Sequence, residues 1–463
     1  MAPVRFDQAL EGIVSRNAMN FLLQMAEETK SDTFQLLKRP FPKLFVVGNI
    51  QTAREILQDP STSKIASLYK TYNKIAGARS LFTTIDEVEY ERLKKSLIKP
   101  VFHNPAEIQR MNENFEGYAK DWVENNLEMF AKNDKRFDPT EEMQCLFFRS
   151  YIYSAFEHKA SVEEYKLWAR DIEKALPELL FKRGASPLRK YYDFMYPTTR
   201  EALRSSKNMQ KFARKMLESY RDKAVEDRSK ATTLIKLISD ETGPFKNDKY
   251  RVAQIFELVI DSYVTSASVV SSVMILMAKH PDIAAKLQKE LSDTVKNNDS
   301  NTSPSRSAYL RNIIKETCRL CPPGASMTSL RSTGKDFYAN AREGSDLESG
   351  EFKNRMLLPK GSAVLVPNIL MCRNSKTFPN PVAFEPERWD SAITNRCMEE
   401  SLLLFSMGSR RCPGQSLASA QIPHILEIIL STYKFEMECE GDFHFNGLVS
   451  SHYNARLYAK KIV

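Results

Sequence analysis

Cys412 lies in the run Phe405-Ser406-Met407-Gly408-Ser409-Arg410-Arg411-Cys412-Pro413-Gly414, and a cysteine in such company can do more than pack. The thiolate is the form of cysteine that binds metals. To hold iron in a flat macrocycle it must stand on a fixed turn and be shielded from bulk water. Gly408 and Gly414 permit a tight backbone close to a flat group. Arg410 and Arg411 offer positive charge for carboxylates, which the planar guanidinium fork binds bidentately. Phe405 can cover the sulfur. The competing use of these residues is a buried structural cysteine after a turn, because Cys is among the most buried residue types.

Upstream, Tyr309-Leu310-Arg311-Asn312-Ile313-Ile314-Lys315-Glu316-Thr317-Cys318-Arg319-Leu320 carries apolar residues at 310, 313, 314 and 320, and Pro322-Pro323 follows. That stripe predicts a helix which the prolines end. Glu316 and Arg319 are three apart on it and can pair. Further on stands Phe384-Glu385-Pro386-Glu387-Arg388-Trp389. The Cys412 loop resembles the haem-ligand loop of the cytochromes P-450, F-x-x-G-x-R-x-C-x-G. Glu316-Thr317-Cys318-Arg319 resembles their E-x-x-R motif, and the Arg388 segment their P-E-R-F/W segment. Leu358-Pro359-Lys360-Gly361 and Asn374 to Pro381 look like family segments too. The resemblance covers nearly the whole chain from about residue 30 onward. It implies haem b with Cys412 as axial thiolate ligand to the iron, and a cofactor shell of Phe405, Gly408, Arg410 and Gly414. It also implies a buried structural triad of Glu316, Arg319 and Arg388.

The run Ile255 to Ser268, leading into His280-Pro281-Asp282, reads as a long helix. In the family the matching segment reads A/G-G-x-D/E-T-T and crosses the haem's oxygen side. Counting back from His280-Pro281 places Thr265 at the family's threonine, whose hydroxyl can donate to bound dioxygen. Val264 stands where the family has an acid, Ser262 where it has glycine, and Asp261 where alanine or glycine is usual. Asp261 and Thr265 are four apart and share a helical face, so both are candidate catalytic residues. The Asp261 carboxylate has three functional uses: proton delivery in place of the lost acid, pairing with a cationic substrate, or obstruction of the iron. Its structural alternative is a polar pocket beside Ser262, in which a partner is expected.

Glu89 to Phe102 looks like the family's W/H-x-x-x-R helix, with Tyr90 and Lys94 on its propionate-contacting positions and Lys95 as the other possibility. The usual tryptophan or histidine and the arginine are absent, and helical surface charge explains these residues equally well. Arg331, twelve residues after Arg319, matches a family arginine that reaches a propionate. Cys372-Arg373-Asn374 stands where many members read H-R-D.

These residues need a large scaffold. The chain has 463 residues and no composition break that separates two domains. Long amphipathic segments dominate, and strand-like runs are few: Thr33 to Leu37, Lys43 to Gly48, Ser362 to Val366, and stretches near the C-terminus. That balance predicts a mainly α domain with small β-sheets, and the resemblance implies the helix-rich, single-domain α+β P-450 fold. Candidate loops are Ser239 to Pro244, Lys296 to Ser307 and Ala339 to Lys353. The catalytic domain is expected over residues 30–463, with 1–29 as a lead-in.

Net charge is +9, scattered rather than blocked, and no basic run interleaved with aromatics suggests nucleic acid. Seven cysteines, an odd count at wide spacing, argue for reduced thiols in an intracellular setting. Cys318-x-x-Cys321 lacks the second ligand pair that structural zinc needs. No run of about twenty apolar residues predicts a bilayer span, and the helix candidate Met19 to Ala26 is too short. The anchor and proline-rich hinge of membrane-bound eukaryotic members do not appear. The expectation is an endoplasmic-reticulum or organelle-associated protein if an anchor was removed, otherwise a cytoplasmic or peripherally bound one.

The resemblance implies a monooxygenase that activates O2 with electrons from a reductase or ferredoxin-type partner and hydroxylates a small organic substrate. Pocket residues are expected from Leu68 to Phe82 and Pro177 to Phe194. Two alternatives stand beside it. One is a haem-thiolate isomerase or dehydratase that needs no external electrons, which the missing acid before Thr265 suits. The other is a non-catalytic haem-binding protein with Asp261 blocking the iron.

Overall fold

The computed structural model describes residue 12 and residues 17–37, 43–182, 187–296, 307–324, 330–340, 355–390, 396–445 and 449–462. The chain forms two interleaved units: Met1–Ile65, Asn312–Cys412 and Phe443–Ser451 make the first, and Ala66–Arg311, Pro413–Asp442 and His452–Val463 the second. The result is helix-rich with small sheets.

In the first unit, helix α1 (Ala18–Thr29) precedes the strands β1 (Thr33–Leu37), β2 (Leu44–Val47), β3 (Ser63–Lys64), β4 (Leu330–Ser332), β5 (Phe337–Asn340), β6 (Arg355–Leu358) and β7 (Ala363–Leu365). A five-stranded mixed sheet runs in the order β1-β2-β7-β4-β3. β2 and β7 pair in parallel, Leu44 opposite Ala363, and the other pairings are antiparallel. Side chains alternate across a strand, and the apolar residues here occupy both faces. Phe34, Leu36, Val46 and Leu365 pack with Leu22 and Met25 of α1. Phe45, Val47 and Val364 pack on the other face with Ile56, Leu57 and Leu403. Each such buried side chain contributes about 1.5–3 kcal/mol. The lead-in expected over residues 1–29 therefore contains a core helix, one turn longer than the Met19–Ala26 candidate. Lys30 stops it in the left-handed conformation, its N–H bonded to Ala26 and Glu27 carbonyls.

The second unit is built on helices α2 (Ala66–Ala76), α3 (Pro139–Phe156) and α4 (Asp248–Lys279), with the antiparallel strands β8 (Tyr433–Cys439) and β9 (Arg456–Lys461). Local chemistry fixes the helix ends. The Asp138 carboxylate accepts from the N–H groups of Thr140 and Glu141, and Pro139 takes the first position. Asn247 caps α4 in the same way, through Lys249 and Tyr250, and α4 ends at His280 before Pro281. α4 is 32 residues long, with mean hydropathy 1.6 over its most apolar window. It is thus long and apolar enough to cross a bilayer, although the sequence has no unbroken apolar run. Of that window 83% is buried inside the protein, as in a core helix. Phe148 of α3 meets Tyr263 of α4 edge-on, with centroids 5.4 Å apart.

The strand expected at 33–37 is present with those bounds, and those expected at 43–48 and 362–366 are trimmed to Leu44–Val47 and Ala363–Leu365. β3 to β6 escaped the sequence pattern because no longer apolar or alternating run surrounds them. The loop expected from Ala339 begins inside β5. Its residues 341–353, and residues 297–306 of the other expected loop, lie outside the described residues.

His452 ties this packing to pH. It is 3% exposed. Burial, opposed by the charge and hydrogen bond of Glu440, brings its imidazole down to about 4. Between that value and the ordinary value of 6.5 the unfolded chain binds the extra proton, so stability falls as pH drops through this window. The loss reaches about 3 kcal/mol by pH 4. Thermal melts at pH 4.5 to 7 should show a steeper acid decline in the protein than in His452→Gln.

Candidate active site

The Cys412 loop hangs from the first unit's core. Leu403 is buried in the cluster with Phe45 and Val364, and Met407 packs against it. Asn368 donates to the Leu403 carbonyl at 3.3 Å. From that anchor the chain makes successive tight turns. Ser406 N–H bonds to Leu403 O at 3.2 Å, Arg411 N–H to Gly408 O at 3.1 Å, and Cys412 N–H to Phe405 O at 2.8 Å. Gly408 has φ +74°, and a Cβ there would stand 2.1 Å from Leu57 O. Only glycine fits both the conformation and the approach. Three residues after the cysteine, helix α6 (Gln415–Leu430) begins, with Gly414 as its N-cap.

The seven cysteines divide by environment. Burial pushes the Cys145 and Cys372 thiols up to about 12 and Cys318 higher still, so these remain protonated. Cys412 is exposed, as are Cys397 and Cys439, but neither of those stands in a Gly/Arg turn. No cluster of three His, Cys, Asp or Glu ligands exists among the described residues. A single presented thiol suits a metal that brings its own equatorial nitrogens, which is the coordination chemistry of haem. The residues therefore fit that group.

Also in the first unit is the charge cluster. Glu316 and Arg319 lie on helix α5 (Ala308–Leu320), both with fully buried side chains, and the Arg388 side chain is 5% exposed. Arg319 reaches Glu316 through Nε and Nη2 at 2.9 and 2.8 Å, and Arg388 Nε reaches it at 2.9 Å. Burial pushes the Glu316 carboxyl up, but the hydrogen bonds and charge of Arg319, then Glu385 N–H and Arg388, outweigh it and hold the group below its usual value. Trp389 Nε1 and the Glu385 N–H complete the shell at 2.9 and 3.0 Å. Sequence reading missed these two donors, although both adjoin the Arg388 motif. Arg373 spans the carbonyls of Pro381 and Leu320 at 2.9 and 3.1 Å. Arg331 is 5% exposed on β4 and donates to Leu330 O.

In the second unit, α4 is buried over most of its length, but burial breaks at Asp261, Ser262 and Thr265. The structure thus places Asp261 and Thr265 on one accessible face. Thr265 Oγ1 approaches the Asp261 carbonyl at 3.4 Å, and Ser262 Oγ bonds to Val259 O at 3.1 Å. Val264, at the position of the family's acid, is 4% exposed. Tyr90 is buried on the helix Glu87–Leu93, and Lys94 opens the π-helical turn Lys94–Ile98. Lys94 Nζ pairs with Glu91 at 3.2 Å and lies 5.8 Å from the Tyr90 ring centroid.

A helix-rich fold with small sheets and a cysteine on a glycine–arginine turn suits a haem-thiolate protein. The family profile "Cytochrome P450" matches residues 13–449, and the chain belongs to the cytochrome P-450 family of monooxygenases. The match begins ahead of residue 30 and takes in α1. Among curated relatives, the chain is 22% identical over 399 residues to cyclooctat-9-en-7-ol 5-monooxygenase of Streptomyces melanosporofaciens, covering 85% of this chain and 80% of that one. It is 28% identical over 214 residues to sugiol synthase of Salvia miltiorrhiza, covering 44% and 39%. It is 25% identical over 370 residues to a probable mitochondrial cytochrome P-450 12d1 (proximal) of Drosophila melanogaster, covering 76% and 67%. The family holds haem through a cysteine thiolate and works with a substrate, O2 and a redox partner.

Proposed function

We propose that Cys412 is the axial thiolate of haem b, and that the protein hydroxylates a small organic substrate with electrons from a reductase or ferredoxin-type partner. The observation that carries this reading is the Cys412 turn, in which the Cys412 N–H is tied to Phe405 O at 2.8 Å and Gly408 alone fits the approach to Leu57 O. Bound there, haem supplies dioxygen activation, with the electron-rich thiolate favouring O–O cleavage. The chain supplies the rest. Gly408 and Gly414 let the loop lie against the macrocycle, and Arg410 and Arg331 receive its carboxylates. Thr265 holds a proton at its Oγ1 on the oxygen side, where the buried Val264 offers none.

The reading is tested by turnover with reductase and dioxygen, together with the carbon monoxide spectrum of the reduced protein. Thr265→Ala should lower the product formed per dioxygen consumed by about tenfold or more, with haem content unchanged. Thr265→Ser should restore most of it. Unaltered coupling in Thr265→Ala would remove the threonine from the proton path.

A further inference from the structure

Charge in the second unit is unevenly placed. From Ala66 to Ile85 and from Ala202 to Leu217 the chain carries no Asp or Glu. The first stretch is helix α2 with the turn after it, and the second is most of the helix Pro197–Arg221. Together with the first turns of α4 they enclose a half-open cavity of 220 Å³. Gly77 and Gln210 line it with four cations: Lys207, Lys211, Arg214 and Lys249. Its wall is tied in place. Ser206 Oγ and Gln210 Nε2 both donate to the Ile75 carbonyl, at 2.7 and 2.8 Å. Gly77 has φ +89°, and a Cβ there would stand 2.9 Å from Gln210 Oε1. The cations themselves are exposed. Among the described residues, none of the four side chains makes an ion pair or a hydrogen bond. Other cations of the same helix do find acids: Lys215 pairs with Glu164, and Arg221 with Asp248, each at 2.7 Å. Asp248 adjoins Lys249 in the chain, but Arg221 and Arg251 hold it, the latter at 3.0 Å.

We propose that this cavity binds a phosphoryl polyanion, the part of a phosphate ester that carries two or more phosphoryl groups. Lys211 follows Lys207 by four residues and precedes Arg214 by three, so the three share a helical face and repel one another. A polyanion among them turns that repulsion into attraction. The ammonium groups act as point charges, and the Arg214 fork can take two phosphate oxygens at once. From Lys207 to Arg214 the helix advances roughly 10 Å, at 1.5 Å per residue. A single carboxylate or phosphate cannot span that length. The cavity is smaller than the 300–1,000 Å³ or so that encloses a drug-sized ligand, so the anionic group enters and the remainder of the molecule stays outside. A charged helix face that water merely solvates needs neither a cavity nor acid-free walls. A free polyphosphate and the headgroup of a phosphorylated lipid share this chemistry. None of these residues serves haem or dioxygen in the reading above, so the proposal stands apart from it.

The test is calorimetry on the holoprotein with inositol trisphosphate and, as a monoanion, acetate. Flotation with phosphatidylcholine vesicles containing phosphatidylinositol bisphosphate or, at equal charge, phosphatidylserine is run beside it. Trisphosphate should bind about tenfold or more tighter than acetate, and less tightly as salt rises. Lys211→Gln and Lys249→Gln should each weaken it about fivefold. The triple variant Lys207→Gln, Lys211→Gln, Arg214→Gln should lose it. Lys289→Gln, an exposed lysine on the helix Pro281–Lys296, removes the same charge elsewhere and should change nothing. Binding of trisphosphate without the vesicles identifies a soluble ligand. Binding of bisphosphate vesicles in preference to phosphatidylserine, lost in the triple variant, identifies a lipid one. No binding of either probe, equal binding of phosphatidylserine vesicles, or the same affinities in the triple variant would overturn the site. Calorimetry uses neither reductant nor dioxygen, so this result is independent of turnover.

Discussion

Cys412→Ala is expected to abolish the strongly red-shifted Soret band of the reduced carbon monoxide complex and, with it, all reductant-dependent turnover. The variant removes the one exposed thiol that stands in a glycine–arginine turn. Its loop should survive the change, because the turn is held by backbone bonds from Ser406, Arg411 and Cys412 and by Leu403 in the core. Truncating an exposed side chain typically changes stability by no more than about 0.5 kcal/mol. Circular dichroism and the melting midpoint should therefore match the parent protein. Cys397→Ala and Cys439→Ala are the controls, since both thiols are exposed but lie outside the turn. They should leave the band in place. A red-shifted band that survives in Cys412→Ala would assign the thiolate to another cysteine and take the Arg410 and Gly408 roles with it.

What could be read from the sequence follows from how local each signal is. The Cys412 turn was legible because its glycines, arginines and cysteine fall within ten consecutive positions. Gly408 meets both a positive φ and the Leu57 carbonyl, and only the first of these has a sequence signature. The α5 pair was legible from its spacing of three, whereas Trp389 and the Glu385 backbone join it only through folding. The short strands β3 and β4 stayed invisible because two or three residues cannot establish a period. Asp261 announced itself as a carboxylate in an apolar helix.

The charge cluster should give the largest loss of stability from a change that alters almost no volume. Glu316 accepts five hydrogen bonds: two from Arg319, one from Arg388, one from Trp389 and one from the Glu385 N–H. Glutamine keeps one acceptor oxygen and replaces the other with a donor, so in Glu316→Gln one side of the group faces N–H donors with an N–H of its own. The buried Arg319 guanidinium also loses its counter-charge, while Arg388 keeps the Glu385 carboxylate at 2.9 Å. Breaking a buried pair in this way costs about 3–5 kcal/mol, and in a chain of this size the melting midpoint should fall by roughly 3–5 °C. Acid sensitivity adds a separate signature. The folded carboxyl titrates below its usual value, so its contribution is whole above the ordinary carboxylate range and drains away as pH falls through the folded value. Glu316→Gln should lack that part of the acid decline while retaining the part due to His452. Replacing all three charged residues by Leu or Met of similar bulk should recover much of the loss, since the penalty comes from stranded charge rather than from lost contacts. If Glu316→Gln melted within about 1 °C of the parent, the cluster would hold no net charge energy, and the five hydrogen bonds would count only as geometry.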